Sequence, residues 1–258
     1  MIPKKIHYTW FSNDPFPDRI KECMESWYKT MPDFEFVHWD MDKIASIDST
    51  FLKEALQSRK WAFAADFVRL WALFHEGGIY LDTDVMVFRS LEPLLYNRCF
   101  IGKENSMHIH SQLVEEYLTS HCMGAEAGHP FIKECLHYYD GRHFILSRNN
   151  TLPESLRLDI TLLPFIQSEI AKQWKYNPNP SADSTQFLPD GLAIYPKECF
   201  DCTHMKDNSY CRHLAVGSWR STKRTQKKIT ITYKIKWRLE YIMKKLLDHF
   251  GYIVINKT

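Results

Sequence analysis

Asp66-Phe67-Val68-Arg69-Leu70-Trp71-Ala72-Leu73-Phe74-His75-Glu76-Gly77-Gly78-Ile79-Tyr80-Leu81-Asp82-Thr83-Asp84-Val85 is the stretch on which the fold turns. Its first part is helical: from Trp61 to His75, Ala62, Ala65, Val68, Leu70, Trp71 and Phe74 are apolar at helical spacing. Gly77-Gly78 stops that helix, as glycine does just past a helix end. Ile79-Tyr80-Leu81 reads as a short buried strand that ends on Asp82-Thr83-Asp84, and Val85–Phe88 resumes extended structure. A helix, a stop, a strand and a carboxylate pair at the strand's end is the order expected at the ligand-binding edge of an α/β sheet.

Outward from this block the alternation continues. Ile2–Trp10 reads as a strand, with Ile6, Tyr8 and Trp10 alternating with His7 and Thr9. A loop rich in Pro, Asn and Asp (12–17) precedes a helix to about Thr30; Pro32 breaks it, and Glu35–Trp39 is a second strand. From Leu113 onward the pattern predicts mostly helix and loop, with Pro130, Pro153, Pro164 and the NPNP stretch at 177–180 as breakers. Leu192–Tyr195 returns as a strand, and His213–Trp219 reads as a compact loop. The expectation is an α/β domain with a mainly parallel sheet and flanking helices over residues 1–222, followed by a basic segment, 223–258.

Two carboxylates at a strand end suit a hard or borderline divalent ion that bridges a diphosphate. Neutralising that charge is what makes a nucleoside diphosphate a workable leaving group. The tripeptide alone is equally compatible with a capped turn; its position after Gly-Gly and three apolar strand residues favours the site. Asp66 and Arg69, three apart on the preceding helix, share a face within an otherwise apolar run. An ion pair in that setting is buried or lines a pocket. The sequence has no GxxxxGK[ST], no GxGxxG after a strand and no HExxH, so a nucleotide here is held by metal and aromatic stacking rather than by a phosphate-cradling loop.

The block from Asp66 to Val85 resembles the signature of glycosyltransferase family 32, the capsular polysaccharide and initiating mannosyltransferase-like enzymes of GT-A type. Ile2-Pro-Lys-Lys-Ile-His-Tyr-Thr-Trp10, Gly128-His-Pro-Phe131, Ile194-Tyr-Pro-Lys197 and His213-Leu-Ala-Val-Gly-Ser-Trp219 resemble its other landmarks, in order. The resemblance implies a GT-A-like fold and a metal-dependent, retaining transfer from a UDP- or GDP-sugar to a glycan or lipid-linked glycan, in capsular or surface polysaccharide synthesis. It implies Trp10, with Tyr8, against the nucleobase, and Asp66 and Arg69 on donor sugar hydroxyls. Asp82 would face ribose and sugar; Asp84, with Asp82 and His213, would hold Mn2+ or Mg2+. Ser218 and Trp219 would close over the phosphates. Leu214 stands where family members often carry a second histidine. Glu104 and Asp159 are further acids that could reach the acceptor, and His129 and Tyr195 read as structural residues before prolines.

At 258 residues, 45% hydrophobic and 14% aromatic, the chain can bury a large core. No apolar run of about 18 residues suggests a membrane span, and the seven cysteines, without metal-type CxxC spacing, read as reduced thiols of a cytoplasmic protein. Residues 220–258 hold eleven Lys/Arg against Glu240 and Asp248, a net of +9, which leaves −7 on the rest. From Ile235 to Phe250 apolar residues recur at helical spacing among these charges, which fits peripheral contact with an anionic membrane or a helix packed on the domain. Nucleic acid is not the expected partner. A toxin-like enzyme that modifies a protein, and a plain anion-binding module, are the rival readings.

Overall fold

A computed structural model of the chain describes residues 1–110, 113–202 and 206–217. Ser218, Trp219 and the basic segment 223–258 lie outside the described residues.

The elements run β1 (Lys5–Thr9), α1 (Asp18–Thr30), β2 (Glu35–Trp39), α2 (Met41–Ile44), α3 (Thr50–Gln57) and α4 (Trp61–Glu76). Next come β3 (Gly78–Leu81), β4 (Val85–Val87), β5 (Cys99–His110) and β6 (Leu113–Ala125). The chain continues through α5 (Pro130–His137), α6 (Glu154–Arg157), α7 (Leu163–Gln173), β7 (Gln186–Phe187), β8 (Leu192–Tyr195), α8 (Lys197–Phe200) and β9 (Cys211–His213). Seven strands form one sheet in the order β2-β1-β3-β6-β5-β8-β7, while β4 and β9 pair as a separate ribbon. Strands β2, β1, β3, β5 and β8 point one way, and only β6 and β7 run against them. This is the mainly parallel, helix-flanked sheet expected from the sequence.

Alternation along the strands fills two apolar layers. Ile6, Tyr8, Ile79 and Leu81 pack on one face with Ile20 and Trp27 of α1; Val37, Tyr80, Ile101 and Met123 pack on the other with α3, α4, α5 and α7. Helix α4 is buried along most of its length, which its continuous apolar run requires. It ends where Gly77 takes φ +64, and a Cβ there would stand 2.8 Å from the Ala127 nitrogen, so only glycine turns the chain into β3. Under that turn His7 donates from Nε2 to the Gly77 carbonyl at 2.7 Å and accepts at Nδ1 from the Trp39 indole at 3.0 Å. The opening strand is thereby tied to the start of β3.

The region after Leu113 departs from the expectation of helix and loop: Leu113–Ala125 is a long strand at the centre of the sheet. Its pattern is hidden because the polar residues are buried. Glu115, Glu116, Thr119 and His121 are all under 10% exposed, and their partners are remote in sequence. Lys172 pairs with Glu115, Lys103 and Lys197 with Glu116, and the Phe200 carbonyl accepts from His121. Likewise His213, the first residue of the expected loop, ends the strand Cys211–His213, because that strand pairs with β4.

Candidate active site

The carboxylate pair sits on a β-turn at the carboxyl end of β3. The Asp82 N–H continues the ladder by donating to the His121 carbonyl at 2.9 Å, and the Val85 N–H closes the turn on the Asp82 carbonyl at 3.0 Å. Asp82 and Asp84 are thus the first and third residues of the turn. Trp27, fully buried on α1, donates its indole N–H to the Val85 carbonyl at 2.7 Å and fixes where the turn leaves.

Arg69 lies against this turn from α4. One nitrogen of its guanidinium reaches Asp66 at 3.0 Å and Asp82 at 3.2 Å. The others donate to the Ala65 carbonyl at 3.3 Å and to the Ser120 carbonyl. Its flat face lies over Tyr80, 4.5 Å from the ring centroid. Asp66 and Arg69 are 8% and 3% exposed, which makes the pair a buried one rather than the surface i,i+3 bridge its spacing also allows. One guanidinium serving two carboxylates leaves a net negative charge. Burial accordingly pushes the Asp66 carboxyl up to about 6, with Arg69 opposing the rise and Asp82 adding to it.

On the other side of the turn stands His213. Pairing of β4 with β9 sets His213 opposite Val85, and its Nε2 lies 3.1 Å from an Asp84 oxygen. The second Asp84 oxygen accepts from the Val216 N–H at 2.9 Å, and the Leu214 N–H donates to the Asp84 carbonyl at 3.0 Å. The imidazole that meets the carboxylate pair is that of residue 213. Burial alone would raise Asp84 and lower His213; the hydrogen bond and charge each offers the other outweigh it, holding Asp84 below and His213 above their usual ranges.

The sign of the pH effect follows. His213's contribution to stability is full below its ordinary 6.5 and fades as pH rises through its raised folded value. That of Asp84 is present above its ordinary 3.8 and fades as pH falls through its lowered one. In chelator, the gap in unfolding temperature between wild type and His213→Gln should therefore peak between those two pH values. A gap that is flat, or that widens toward alkaline pH, contradicts the pairing.

Of the other residues singled out in the sequence, Trp10 lies half-buried just past β1, its ring 4.9 Å from that of Phe16 and its indole donating to the Asp14 carbonyl at 3.0 Å. Tyr8 offers the site little surface: it is buried, stacked on His38 at 4.9 Å and edge-on to Trp27. Asp159 lies in the approach to α7, 4.0 Å from Arg142. His129 caps α5 through the Phe131 N–H, a structural role. No sequence pattern singles out His121, whose ring stacks on His213 at 4.6 Å. Its signal is a pairing between strands far apart in the chain, which local pattern does not carry.

Asp82, Asp84 and His213 each present one ligand atom, all within 4.8 Å of one another. Two carboxylate oxygens and one imidazole nitrogen form a donor set suited to a divalent ion such as Mn2+ or Mg2+. The residues fit the metal.

The family model described as the glycosyltransferase sugar-binding region containing DXD motif matches residues 17–101. Inositol phosphoceramide mannosyltransferase 3 of Schizosaccharomyces pombe is 32% identical over 135 residues, 51% of this chain and 35% of the relative. Mannosyl phosphorylinositol ceramide synthase of Saccharomyces cerevisiae is 30% identical over 56% of this chain and 37% of its own length. The chain thus spans about a third of the length of these curated relatives. An uncharacterized glycosyltransferase of Acanthamoeba polyphaga mimivirus is 24% identical over 85% of this chain and 84% of its own. Residues 17–101, with Asp82-Thr83-Asp84 among them, are thus similar to the DXD-containing sugar-binding region of glycosyltransferases.

Proposed function

We propose that the chain transfers a hexose from a UDP- or GDP-sugar to a hydroxyl of a glycan or lipid-linked glycan, with Mn2+ or Mg2+ held by Asp82, Asp84 and His213. The observation that carries this reading is the convergence of those three ligand atoms within 4.8 Å, beside the buried Asp66–Arg69–Asp82 bridge. A bound ion supplies the positive charge that the departing diphosphate requires. Arg69, fixed by two carboxylates and two carbonyls, is rigid enough to orient a sugar against Asp66 and Asp82. Trp10, part-exposed at the carboxyl end of β1, is the surface we assign to the base. We take the transfer to retain configuration, as the resemblance implies. The fungal relatives are named for mannosyl transfer to ceramide-bound inositol phosphate, which favours a lipid-borne acceptor over a free glycan. Such an acceptor also suits surface polysaccharide assembly at the cytoplasmic face of a membrane, although no helix among the described residues is long and apolar enough to cross one.

The test is a panel of UDP- and GDP-sugars, each with Mn2+, Mg2+ or chelator. One donor should be hydrolysed slowly in a metal-dependent way and, at 100 times its Kd, stabilise the fold by about 2.7 kcal/mol. Absence of both effects across the panel rejects the reading. A second expectation concerns Asp66. Its conversion to Asn should lower kcat/KM by about 100-fold, the loss of a buried charge-assisted contact to the sugar, while affinity for the free nucleotide, which has no sugar, stays near wild type. Equal losses in both would mark the bridge as purely structural.

A further inference from the structure

The two rings that stack beside the carboxylate pair are not equivalent. His213 has its edge toward Asp84. His121, on the central strand β6, has its face against His213, with centroids 4.6 Å apart and planes 25° from parallel. Neither ring atom of His121 is free to ligate. Nε2 lies 3.0 Å from the Phe200 carbonyl, which can only accept, so Nε2 carries the hydrogen. Nδ1 then accepts from the Thr119 hydroxyl. These two bonds pin the plane of a neutral imidazole. The carbonyl that holds it is equally fixed: Phe200 is fully buried, and its ring closes so tightly over Gly102 that a Cβ there would stand 2.5 Å away. The backbone carbonyl of His121 meanwhile accepts from Asp82, the first residue of the carboxylate turn.

We propose that His121 is a positioning residue for metal binding, a hydrogen-bonded platform that holds the His213 ring in the plane from which its nitrogen meets Asp82 and Asp84. The inference rests on the reading of His213 as a metal ligand. With its face on His121 and its edge on Asp84, His213 is constrained in two directions before any ion arrives. A ligand held in advance loses less rotamer freedom on binding, and supports of this kind shift metal affinity by about 10- to 100-fold. His7 shows that a structural buried histidine also has both ring nitrogens tied down; what sets His121 apart is that its partner ring is itself at the site.

The experiment uses the full chain and Mn2+ alone, titrated by electron paramagnetic resonance of the free ion, with the nitrogen coupling of bound Mn2+ recorded by pulsed measurement. His121→Ala should weaken Mn2+ binding about tenfold and change or broaden the nitrogen coupling. His121→Phe, which keeps a ring against His213 but loses both anchoring hydrogen bonds, should recover only part of the affinity. Thr119→Val, which removes one anchor and leaves the core filled, should give an intermediate loss and serves also if the alanine variant does not fold. Wild-type affinity in His121→Ala, or in Thr119→Val where the alanine variant is unfolded, overturns the proposal; so does a phenylalanine variant as weak as the alanine one. His213→Ala separates the two levels: if it leaves Mn2+ affinity and the nitrogen coupling unchanged, the ligand reading has failed, and the platform with it. If it abolishes them while the His121 and Thr119 variants behave as wild type, only the platform has failed.

Discussion

Replacing Asp84 with alanine should lower metal-dependent sugar transfer by about three orders of magnitude while leaving a folded protein. The side chain fills no core space; it accepts from Val216 N–H and pairs with His213 at the mouth of the site. Loss of those partners costs about 1–3 kcal/mol of stability, too little to unfold a domain with two extensive apolar layers. What is lost is one of two carboxylates on the turn, and with it the charge that would hold a divalent ion against a diphosphate. Circular dichroism reports the fold, and donor turnover with Mn2+ reports the effect. Asp84→Asn is the closer isostere: it keeps one oxygen to accept from Val216 while removing the charge and turning the oxygen that meets His213 into an amide donor. Near-wild-type turnover by either variant, properly folded, would dismiss Asp84 as a metal ligand.

Arg69→Met is expected to have the largest effect on stability. The guanidinium is shared by Asp66 and Asp82 and by two backbone carbonyls, and it covers Tyr80. Methionine matches much of the volume but leaves two carboxylates facing each other, one of them buried, with no counter-charge. Breaking a buried pair in this way costs about 3–5 kcal/mol, and in a domain of this size that is a fall of about 10 °C in Tm. Adding Asp66→Asn to Arg69→Met should restore part of the loss, because the remaining carboxylate is then alone. A strictly additive double variant would show that the three side chains are not coupled.

The extent to which the sequence disclosed this arrangement follows from where each residue's partners lie. Asp66, Arg69, Gly77, Asp82 and Asp84 fall within one helix, one stop and one strand end, so local periodicity and spacing are enough to place Gly77 at the entry to β3 and the Asp82–Asp84 pair at the sheet's carboxyl edge. The two carboxylates do form a turn, but one whose carboxylates face Arg69 and His213 rather than only their own backbone. Strand β6 was missed for the opposite reason. Its glutamates and histidine look like surface residues until Lys103, Lys172, Lys197 and the Phe200 carbonyl are brought to them from other parts of the chain. His121 escaped with it. His213 was reached through likeness to a family, since nothing near it in the chain shows that β9 pairs with β4.

That last pairing bears on how the protein is made. Asp84 and Val216 are 132 residues apart in the chain, and at about 5–20 residues per second a ribosome needs roughly 7 to 26 seconds to pass from one to the other. Throughout that interval the nascent chain carries the carboxylate turn but not the imidazole that completes it. Closing so long a loop carries an entropy cost of about 4 kcal/mol, which the short β4–β9 ribbon must offset with the contacts around it. A chain stalled before Cys211 therefore keeps most of the central sheet and both apolar layers, yet it has no complete site. On the proposed reading, a product released that early would lack the His213 ligand and, with it, metal-dependent turnover.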